Sequence, residues 1–237
     1  MKKAICLLLV ILTNSSLLHA IDIYSHNITN IMSADNTGVY QKLLNLMSDQ
    51  YGLEPARFFV QPVNRARRSF EANQEACYIA ADLSWTIRVV KSLALGGFRV
   101  HFFTLKGQPI ISSFSDVTAH KKIGGIVGFE SFYASIMSSR HEIDYVLDDK
   151  KNMSKLKLGR VDALIGVLPD FKPYMEYLDY DREFILNEGL DYIFCHDNAI
   201  GNIYKDKFNS VLNIIKKNGE YKKVMGSLFL SVNFNDS

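Results

Sequence analysis

The stretch KLKLGRVDALIGV, residues 155 to 167, is the most informative part of this 237-residue chain for predicting its fold. Its first half is typical of the end of a helix, and Gly159 is a residue type that commonly follows the last helical turn. The apolar run after it predicts a buried strand over residues 161 to 167. We expect a helix over about residues 152 to 158, and we expect Asp162 to hydrogen-bond the turn between helix and strand.

Strands and helices alternate in two successive cycles, the first over residues 21 to 105 and the second from about residue 107 to the end of this stretch. Because the order of elements is similar in two successive cycles, we predict two α/β lobes with mostly parallel sheets. In the helix of the opening stretch, Leu156 and Leu158 are predicted to pack inward. The predicted strands cover residues 21 to 28, 57 to 61, 77 to 83, 123 to 127, 143 to 147 and 191 to 198, and the predicted helices cover residues 39 to 51, a segment after Asn64, residues 131 to 140, residues 206 to 217 and a segment from Tyr221.

The first 20 residues have the features of a secretory signal peptide, with Lys2 and Lys3, an apolar run over residues 4 to 12, and Ala20 before a polar restart. The apolar run is shorter than the roughly 20 residues that a membrane-spanning helix needs. We therefore expect a periplasmic protein without membrane insertion after cleavage. Removal of Lys2 and Lys3 lowers the 27 basic residues to 25, which equals the 25 acidic residues. This balance gives no electrostatic reason to expect a nucleic-acid partner.

Two cysteines, Cys77 and Cys195, follow the predicted signal peptide. In an oxidising compartment they can form a disulfide that joins two distant segments of the chain. Two buried free thiols fit the sequence equally well, because unpaired cysteine is a common core residue. The sequence leaves both alternatives open.

Several pieces of sequence occur in the order found in one known group of proteins. They are Gly38-Val39-Tyr40 at the start of the first helix, Pro62-Val63-Asn64-Arg65-Ala66, the Ile123-Gly124 strand with the Gly128 turn, KLKLGRVDALI at residues 155 to 165, and IIKKNGEYKK at residues 214 to 223. In this order the chain resembles the type II periplasmic solute-binding proteins, specifically the family 3 group that serves polar amino acid uptake by ABC transporters. The pieces span almost the whole predicted mature chain.

The resemblance implies two lobes that hold a small polar solute, amino acid-like or a small carboxylate, in the cleft between them. Lobe 1 would comprise residues 21 to 103 plus 194 to 237, and lobe 2 residues 104 to 193. Two crossover strands would join the lobes, near His101 to Leu105 and near Tyr192 to His196. Hinge bending at these strands would close the cleft when solute binds.

The resemblance also implies a carboxylate-binding arginine in the segment Ser84-Trp85-Thr86-Ile87-Arg88. A guanidinium can form two parallel charge-assisted hydrogen bonds to a carboxylate, so Arg88 is the candidate clamp. Ser84 and Thr86, the polar neighbours of Trp85, are further candidate ligand-binding residues, and Trp85 would form an aromatic wall. The alternatives are that Arg88 is a surface arginine in a salt bridge and that Trp85 is a core residue.

Other candidate ligand-binding residues lie where a strand passes into a helix. Ser131 could hold a ligand carboxylate jointly with Arg88 at a helix start, next to Glu130. Both residues could equally cap that helix. Tyr40 and Arg65 lie near the first and second helix starts of the first lobe, where the cleft of a doubly wound sheet is expected. A solvated helix face is the alternative for Arg65.

Val167 is the position at which the resemblance weakens the usual ligand. In amino acid binders of this family, the position five residues after Asp162 commonly carries a carboxylate that pairs with the α-ammonium group of the ligand. A valine cannot make that charge-assisted bond. Asp170, which follows Pro169, could reach the cleft instead, and its alternative is a loop aspartate that caps or solvates the turn.

The motif content favours binding over catalysis. The sequence has no H-E-x-x-H or paired-cysteine metal motif, no G-x-S-x-G elbow and no glycine-rich phosphate loop. We therefore predict a monomeric binding protein that is not an enzyme, with no cofactor or metal, and with an ABC permease as its partner. A ligand-sensing or signalling module of the same fold, without a role in transport, is the alternative function.

Overall fold

The computed structural model describes residues 20 to 81, 85 to 117, 122 to 137 and 142 to 230. The predicted signal peptide up to residue 19 and the candidate ligand residue Ser84 lie outside the described residues. None of the described helices combines the length and the apolar character that crossing a membrane requires.

Strands and helices alternate along the described chain, as the sequence predicts. The strands are β1 (Ile21–Ser25), β2 (Ala56–Val60), β3 (Ala76–Ala81), β4 (Val89–Lys91), β5 (Gly96–Leu105), β6 (Ile123–Ile126), β7 (Ile143–Val146), β8 (Ala163–Leu168), β9 (Leu178–Asp179) and β10 (Asn187–His196). The helices are α1 (Val39–Tyr51), α2 (Val63–Ala72), α3 (Phe114–Val117), α4 (Glu130–Ile136), α5 (Asp149–Lys157), α6 (Ala199–Lys217) and α7 (Glu220–Met225), with short 3-10 turns at Lys172–Tyr174 and Gly226–Leu228.

The helix bounds follow local capping chemistry. Helix α1 has the predicted bounds and ends at Gly52, which adopts a φ of 69°. Helix α6 begins seven residues before the predicted start, because the Asn198 side chain accepts a 2.9 Å hydrogen bond from the Gly201 N–H and caps an earlier turn. Our prediction that Leu158 packs inward is wrong, since α5 ends at Lys157 and the Leu158 side chain is 67% exposed. Leu156, in contrast, is buried.

Two parallel blocks are joined through two antiparallel strands in the order β2-β1-β3-β10-β5-β8-β6-β7. Strands β1, β2 and β3 run parallel in the first block, and β6, β7 and β8 run parallel in the second. Strands β5 and β10 connect the blocks and pair with each other over residues 96 to 100 and 187 to 191. These paired segments lie about five residues before the predicted crossovers. We propose that the lobe boundaries lie within them.

The first lobe packs helices on both faces of its sheet. Side chains of β3 alternate between the faces, as a strand requires. Cys77 and Ile79 contribute to the core beneath α1, α6 and α7, whereas Tyr78 packs with Phe70 of α2 on the opposite face. Cys77 lies opposite Cys195 of β10, and the structure joins the two cysteines by a disulfide. Of the two alternatives for these cysteines, the structure therefore has the disulfide.

The second lobe is organised around β8, the strand of the opening stretch. Leu164 and Leu156 of α5 share the core on one side of this strand, and Ile165 packs with Tyr133 of α4 on the other. Asp162 accepts a 3.1 Å hydrogen bond from the backbone N–H of Lys122. This bond ties the turn before β8 to the chain that enters β6. Asp162 thus has a structural role, but its partner is Lys122 and not the turn between α5 and β8 that we predicted.

Candidate functional site

A cavity of about 350 Å³ lies between the two lobes. Its walls come from the ends of β1, β3, β6, β7 and β8, the segments after them, and the crossover strands β5 and β10. The carboxyl ends of parallel strands are where ligands bind in open α/β sheets. The volume is within the range of about 300 to 1,000 Å³ that small-molecule sites occupy. This interlobe cavity is the candidate binding site.

Three aspartates from different elements line the interlobe cavity. Asp149 is the first residue of α5, Asp170 follows β8, and Asp191 lies in β10. The Asp149 carboxylate accepts a 2.9 Å hydrogen bond from the Thr29 hydroxyl, which belongs to the opposite lobe. The Asp191 carboxylate accepts a 2.8 Å hydrogen bond from the Tyr40 hydroxyl. We call Asp149, Asp170 and Asp191 the cavity aspartates.

Burial makes the charged form of each cavity aspartate costly. It raises the pKa of Asp149 to about 6 and that of Asp191 to about 6, although the hydroxyl donors oppose the rise. The pKa of Asp170 is raised well above its usual range, first by burial and then by the negative charges of Asp149 and Asp191. The three carboxyl groups are therefore close enough to interact, and burial disfavours their full ionisation.

His26 lines the same cavity from the lobe 1 side. Its ring meets the Phe129 ring edge-on, with the centroids 5.2 Å apart. Burial lowers the pKa of His26 to about 4, so the imidazole is neutral near pH 7. Its Nδ1 atom is buried and has no hydrogen-bond partner among the described residues. A neutral ring with a free nitrogen is available to hydrogen-bond a ligand.

Aromatic side chains form most of the apolar wall. Phe98, Phe129 and Phe132 line the cavity together with Tyr133. The Tyr133 hydroxyl accepts a 3.1 Å hydrogen bond from the Ile126 backbone N–H, which fixes its ring between α4 and β6. Burial also raises the pKa of this phenol, so it remains neutral. Such a wall excludes water and presents ring faces to a ligand.

The backbone at the start of α4 is already occupied by an anionic side chain. Both carboxylate oxygens of Glu130 lie 2.9 Å from the Gly128 N–H and accept its hydrogen bond. Ser131 is exposed and is not among the described residues that line the cavity. The positions of Glu130 and Ser131 fit the capping alternative, and we leave both out of the proposed site.

Arg88, the predicted carboxylate clamp, lies outside the interlobe cavity. Its side chain is 92% exposed and forms a 2.9 Å salt bridge with Asp197. The exposed Thr86 donates a 3.2 Å hydrogen bond to Glu71, away from the cavity. This arrangement fits the salt-bridge alternative for Arg88, because its guanidinium is already paired at the surface. We therefore leave Arg88 and Thr86 out of the proposed site.

The remaining predicted residues are divided between the core, the surface and the cavity. Trp85 packs its ring against Phe70, Tyr78 and Phe194 at centroid distances of 5.1 to 5.3 Å, which fits its core alternative. Arg65 is exposed on α2. The buried Tyr40 contacts the cavity through its bond to Asp191, and Asp170 lines the cavity directly.

Sequence reasoning missed His26, Asp149 and Asp191. A signal was present for Asp149, which follows the carboxyl end of a predicted parallel strand, whereas His26 lies inside the predicted strand over residues 21 to 28. Only Asp148 separates Asp149 from the predicted strand over residues 143 to 147. Asp191 lies inside a predicted strand, and its position at the cavity depends on how the crossover strands pair.

Solved structures similar to this chain bind amino acids. The GluR0 ligand-binding core from Nostoc punctiforme in complex with L-glutamate is 18% identical, covers 88% of this chain and 99% of its own, and has a TM-score of 0.72. An amino acid ABC transporter substrate-binding protein, AbpA from Streptococcus pneumoniae bound to L-arginine, is 14% identical, with coverages of 89% and 97% and a TM-score of 0.70. The ancestral amino acid-binding protein AncCDT-1, a precursor of cyclohexadienyl dehydratase, is 14% identical, with coverages of 89% and 95% and a TM-score of 0.70.

No protein-family model and no curated protein sequence matches the chain. The structural likeness nevertheless extends over nearly all described residues and over almost the full length of each neighbour. The chain therefore has the two-lobed type II periplasmic binding protein fold, with its cleft between the lobes and two crossover strands.

Proposed function

We propose that this protein captures a small polar solute in the interlobe cavity and delivers it to an ABC-type permease. The observation that carries the proposal is the cavity itself, which both lobes line and which has the volume of a small-molecule site. The hydrogen bond between Thr29 and Asp149 joins the lobes at its edge. A solute that contacts both lobes would favour the closed arrangement, because it binds that arrangement more tightly.

Two further observations support export and a binding role. The disulfide between Cys77 and Cys195 is suited to an oxidising compartment such as the periplasm, where a cleaved signal peptide would place the protein. The neighbouring structures are described as binding proteins, including amino acid ABC transporter substrate-binding proteins. We propose binding, not catalysis, as the role of the cavity in this chain.

A thermal-shift screen of the mature protein tests the proposal. The screen covers amino acids, amines, small carboxylates and sugars. A solute that binds only the folded state stabilises it by RT ln(1 + [L]/Kd), about 2.7 kcal/mol at a concentration of 100 Kd. We expect at least one class to raise the melting temperature.

A matched pair of variants links the shift to the cavity. Val167 lines the cavity and Val127 is 41% exposed outside it. Val167→Trp should fill the cavity and remove the shift, whereas Val127→Trp should retain it, with circular dichroism confirming that both fold. Failure of every solute class to shift the wild-type protein would contradict the proposed function.

A further inference from the structure

The charged side chains among the described residues that line the interlobe cavity are all acidic. Its described lining contains five acidic residues and no lysine or arginine. Two of the five have cationic neighbours, since Asp148 lies 3.6 Å from the Lys151 ammonium and Glu188 lies 3.0 Å from the Arg99 guanidinium. The three cavity aspartates form no salt bridge with a described residue. The uncompensated charge in the cavity is therefore negative.

Hydroxyl groups, not cations, are the protein partners of two cavity aspartates. Thr29 and Tyr40 each donate one hydrogen bond, to Asp149 and Asp191 respectively. Asp170 has no side-chain partner among the described residues. A carboxylate has capacity for about four hydrogen bonds, so each of the three can accept more from a bound cation. An ammonium or guanidinium group supplies three or five donors together with the missing charge.

The features that would hold a ligand carboxylate are either occupied or lie elsewhere. The Gly128 N–H is taken by the carboxylate of Glu130, which stands where an anionic ligand group would have to bind. Arg88 is paired with Asp197 at the surface. A ligand carboxylate in the cavity would meet the cavity aspartates, with no compensating cation among the described residues that line the cavity. Repulsion between like charges inside one small, partly desolvated cavity costs binding free energy.

The rest of the lining suits an organic cation. Phe129 and Phe132 present aromatic rings, and aromatic faces attract cations within about 6 Å. The neutral His26 adds a buried Nδ1 without a partner, which can accept a hydrogen bond from an ammonium N–H. No described group of three or more histidine, cysteine, aspartate or glutamate residues is placed to hold a metal ion. The carboxylates are thus spread around a volume that fits a molecule.

We propose that the solute of this protein is an organic amine or guanidine cation that carries no carboxylate, held by Asp149, Asp170 and Asp191 against the aromatic wall. This inference rests on the proposed solute-binding function and narrows its substrate class. Because the neighbouring structures bind amino acids such as L-glutamate and L-arginine, this chain would use the shared fold for a different class of ligand.

Matched pairs of compounds that differ by one carboxylate test the substrate class. Agmatine, cadaverine, putrescine and phenethylamine are each compared with the parent amino acid, namely arginine, lysine, ornithine and phenylalanine. Binding is measured by calorimetry and thermal shift at pH 8, where the amines are cationic and the cavity aspartates are more fully ionised. We expect at least one amine to bind ten or more times more tightly than its parent amino acid.

Conservative variants test the role of the carboxylates. Asp170→Asn keeps the shape of the side chain and removes its charge, and Asp149→Asn does the same at the start of α5. Each should weaken amine binding at least tenfold. The control is Asp49→Asn on the exposed face of α1, which should leave binding unchanged. Circular dichroism and melting temperature establish that each variant is folded.

The outcomes separate this inference from the proposed function. If the parent amino acids, other carboxylates or sugars bind and the amines do not, the inference is overturned while the solute-binding function stands. If folded Asp170→Asn and Asp149→Asn both bind an amine as tightly as wild type, the carboxylate role is overturned. If no compound of any class binds, the proposed function fails as well.

Discussion

Tyr40 donates a 2.8 Å hydrogen bond from its hydroxyl to the carboxylate of Asp191, although 151 residues separate the two in sequence. The bond joins α1 of the first lobe to β10, the strand that crosses between the lobes. Gly96 lies opposite Asp191 in the pairing of β5 with β10. The phenol thus lies where the crossover strands meet the interlobe cavity, and it supports a carboxylate that the proposed ligand would contact.

We expect Tyr40→Phe to destabilise the protein by about 1–2 kcal/mol, because it leaves a buried carboxylate without its hydroxyl donor. The pKa of Asp191, which burial already raises to about 6, should rise further. The decrease in the free energy of unfolding should therefore be larger at pH 7.5, where Asp191 is mostly ionised, than at pH 4.5. Urea denaturation at the two pH values measures it.

Tyr24→Phe is the matched control for this prediction. Tyr24 is half-buried on β1, and its hydroxyl forms no hydrogen bond with a described residue. Its substitution should change the free energy of unfolding by less than about 0.5 kcal/mol. Equal effects of Tyr40→Phe and Tyr24→Phe would show that the bond to Asp191 contributes nothing.

Gly96→Ala should destabilise the protein by about 1–3 kcal/mol through overpacking. A Cβ atom at residue 96 would overlap the Tyr40 hydroxyl, which passes directly over this glycine. The Tyr40→Phe substitution removes the overlapping oxygen. The double variant should therefore be more stable than the sum of the two single effects predicts, and a double-mutant cycle by chemical denaturation measures this coupling. If the effects of the two single substitutions on the free energy of unfolding are simply additive, the overlap between the new Cβ atom and the Tyr40 hydroxyl is contradicted.

Thr29→Val should weaken the closed arrangement of the lobes. The Thr29 hydroxyl donates a 2.9 Å hydrogen bond to Asp149 across the cleft, and its loss should cost about 1 kcal/mol. That cost shifts an equilibrium between closed and open forms about fivefold toward the open form. Small-angle scattering should then report a larger radius of gyration for the ligand-free variant.

The control for this variant is Thr37→Val. Thr37 also donates to an aspartate, Asp35, over 2.7 Å, but both residues lie in one loop of the first lobe. This change should alter local stability and leave the radius of gyration as in the wild type. If the two variants scatter alike, the contact between Thr29 and Asp149 does not hold the lobes together.

The ligand-free protein should lose stability as the pH rises from about 4 to about 7. Asp149 and Asp191 have a pKa of about 6 when folded against an ordinary value of 3.8, and the pKa of Asp170 is raised as well. The folded state therefore binds more protons than the unfolded state in this pH range. The free energy of unfolding consequently declines as the pH rises and the carboxyl groups ionise. His26 and His101 act in the opposite direction, because burial lowers the pKa of His26 from 6.5 to about 4 and also lowers the pKa of His101.

The three carboxyl groups with a raised pKa outnumber the two imidazoles with a lowered pKa, so the melting temperature should fall across this range. Asp170→Asn removes one ionising group, so it should flatten the fall and raise the free energy of unfolding at pH 7.5. A variant that loses amine binding and gains stability is expected of a binding site that holds uncompensated charge. Thermal denaturation from pH 4 to pH 8 measures both effects, and a melting temperature that rises throughout would contradict them.

The sequence predicted the order of elements well, because helix and strand periodicity and capping are local properties. The bounds of α1 follow from its apolar face, with Leu43 and Met47 buried, and from Gly52 at its end. Strand β8 follows likewise from the apolar run after Gly159. Capping at Asn198 moved the start of α6, and the early end of α5 left Leu158 exposed, so the bounds were less certain than the elements.

The fold follows from local patterns along the chain, whereas the binding site follows from long-range packing. Strand and helix patterns in the stretch over residues 155 to 167 and its neighbours are sufficient for two α/β lobes. Asp149, Asp170 and Asp191 converge because strand pairing brings three distant segments to one cavity, and no local pattern encodes that convergence. Arg88 has the right chemistry for a carboxylate, but its partner Asp197 holds it at the surface. A binding site depends on which side chains meet in space, and long-range packing sets that.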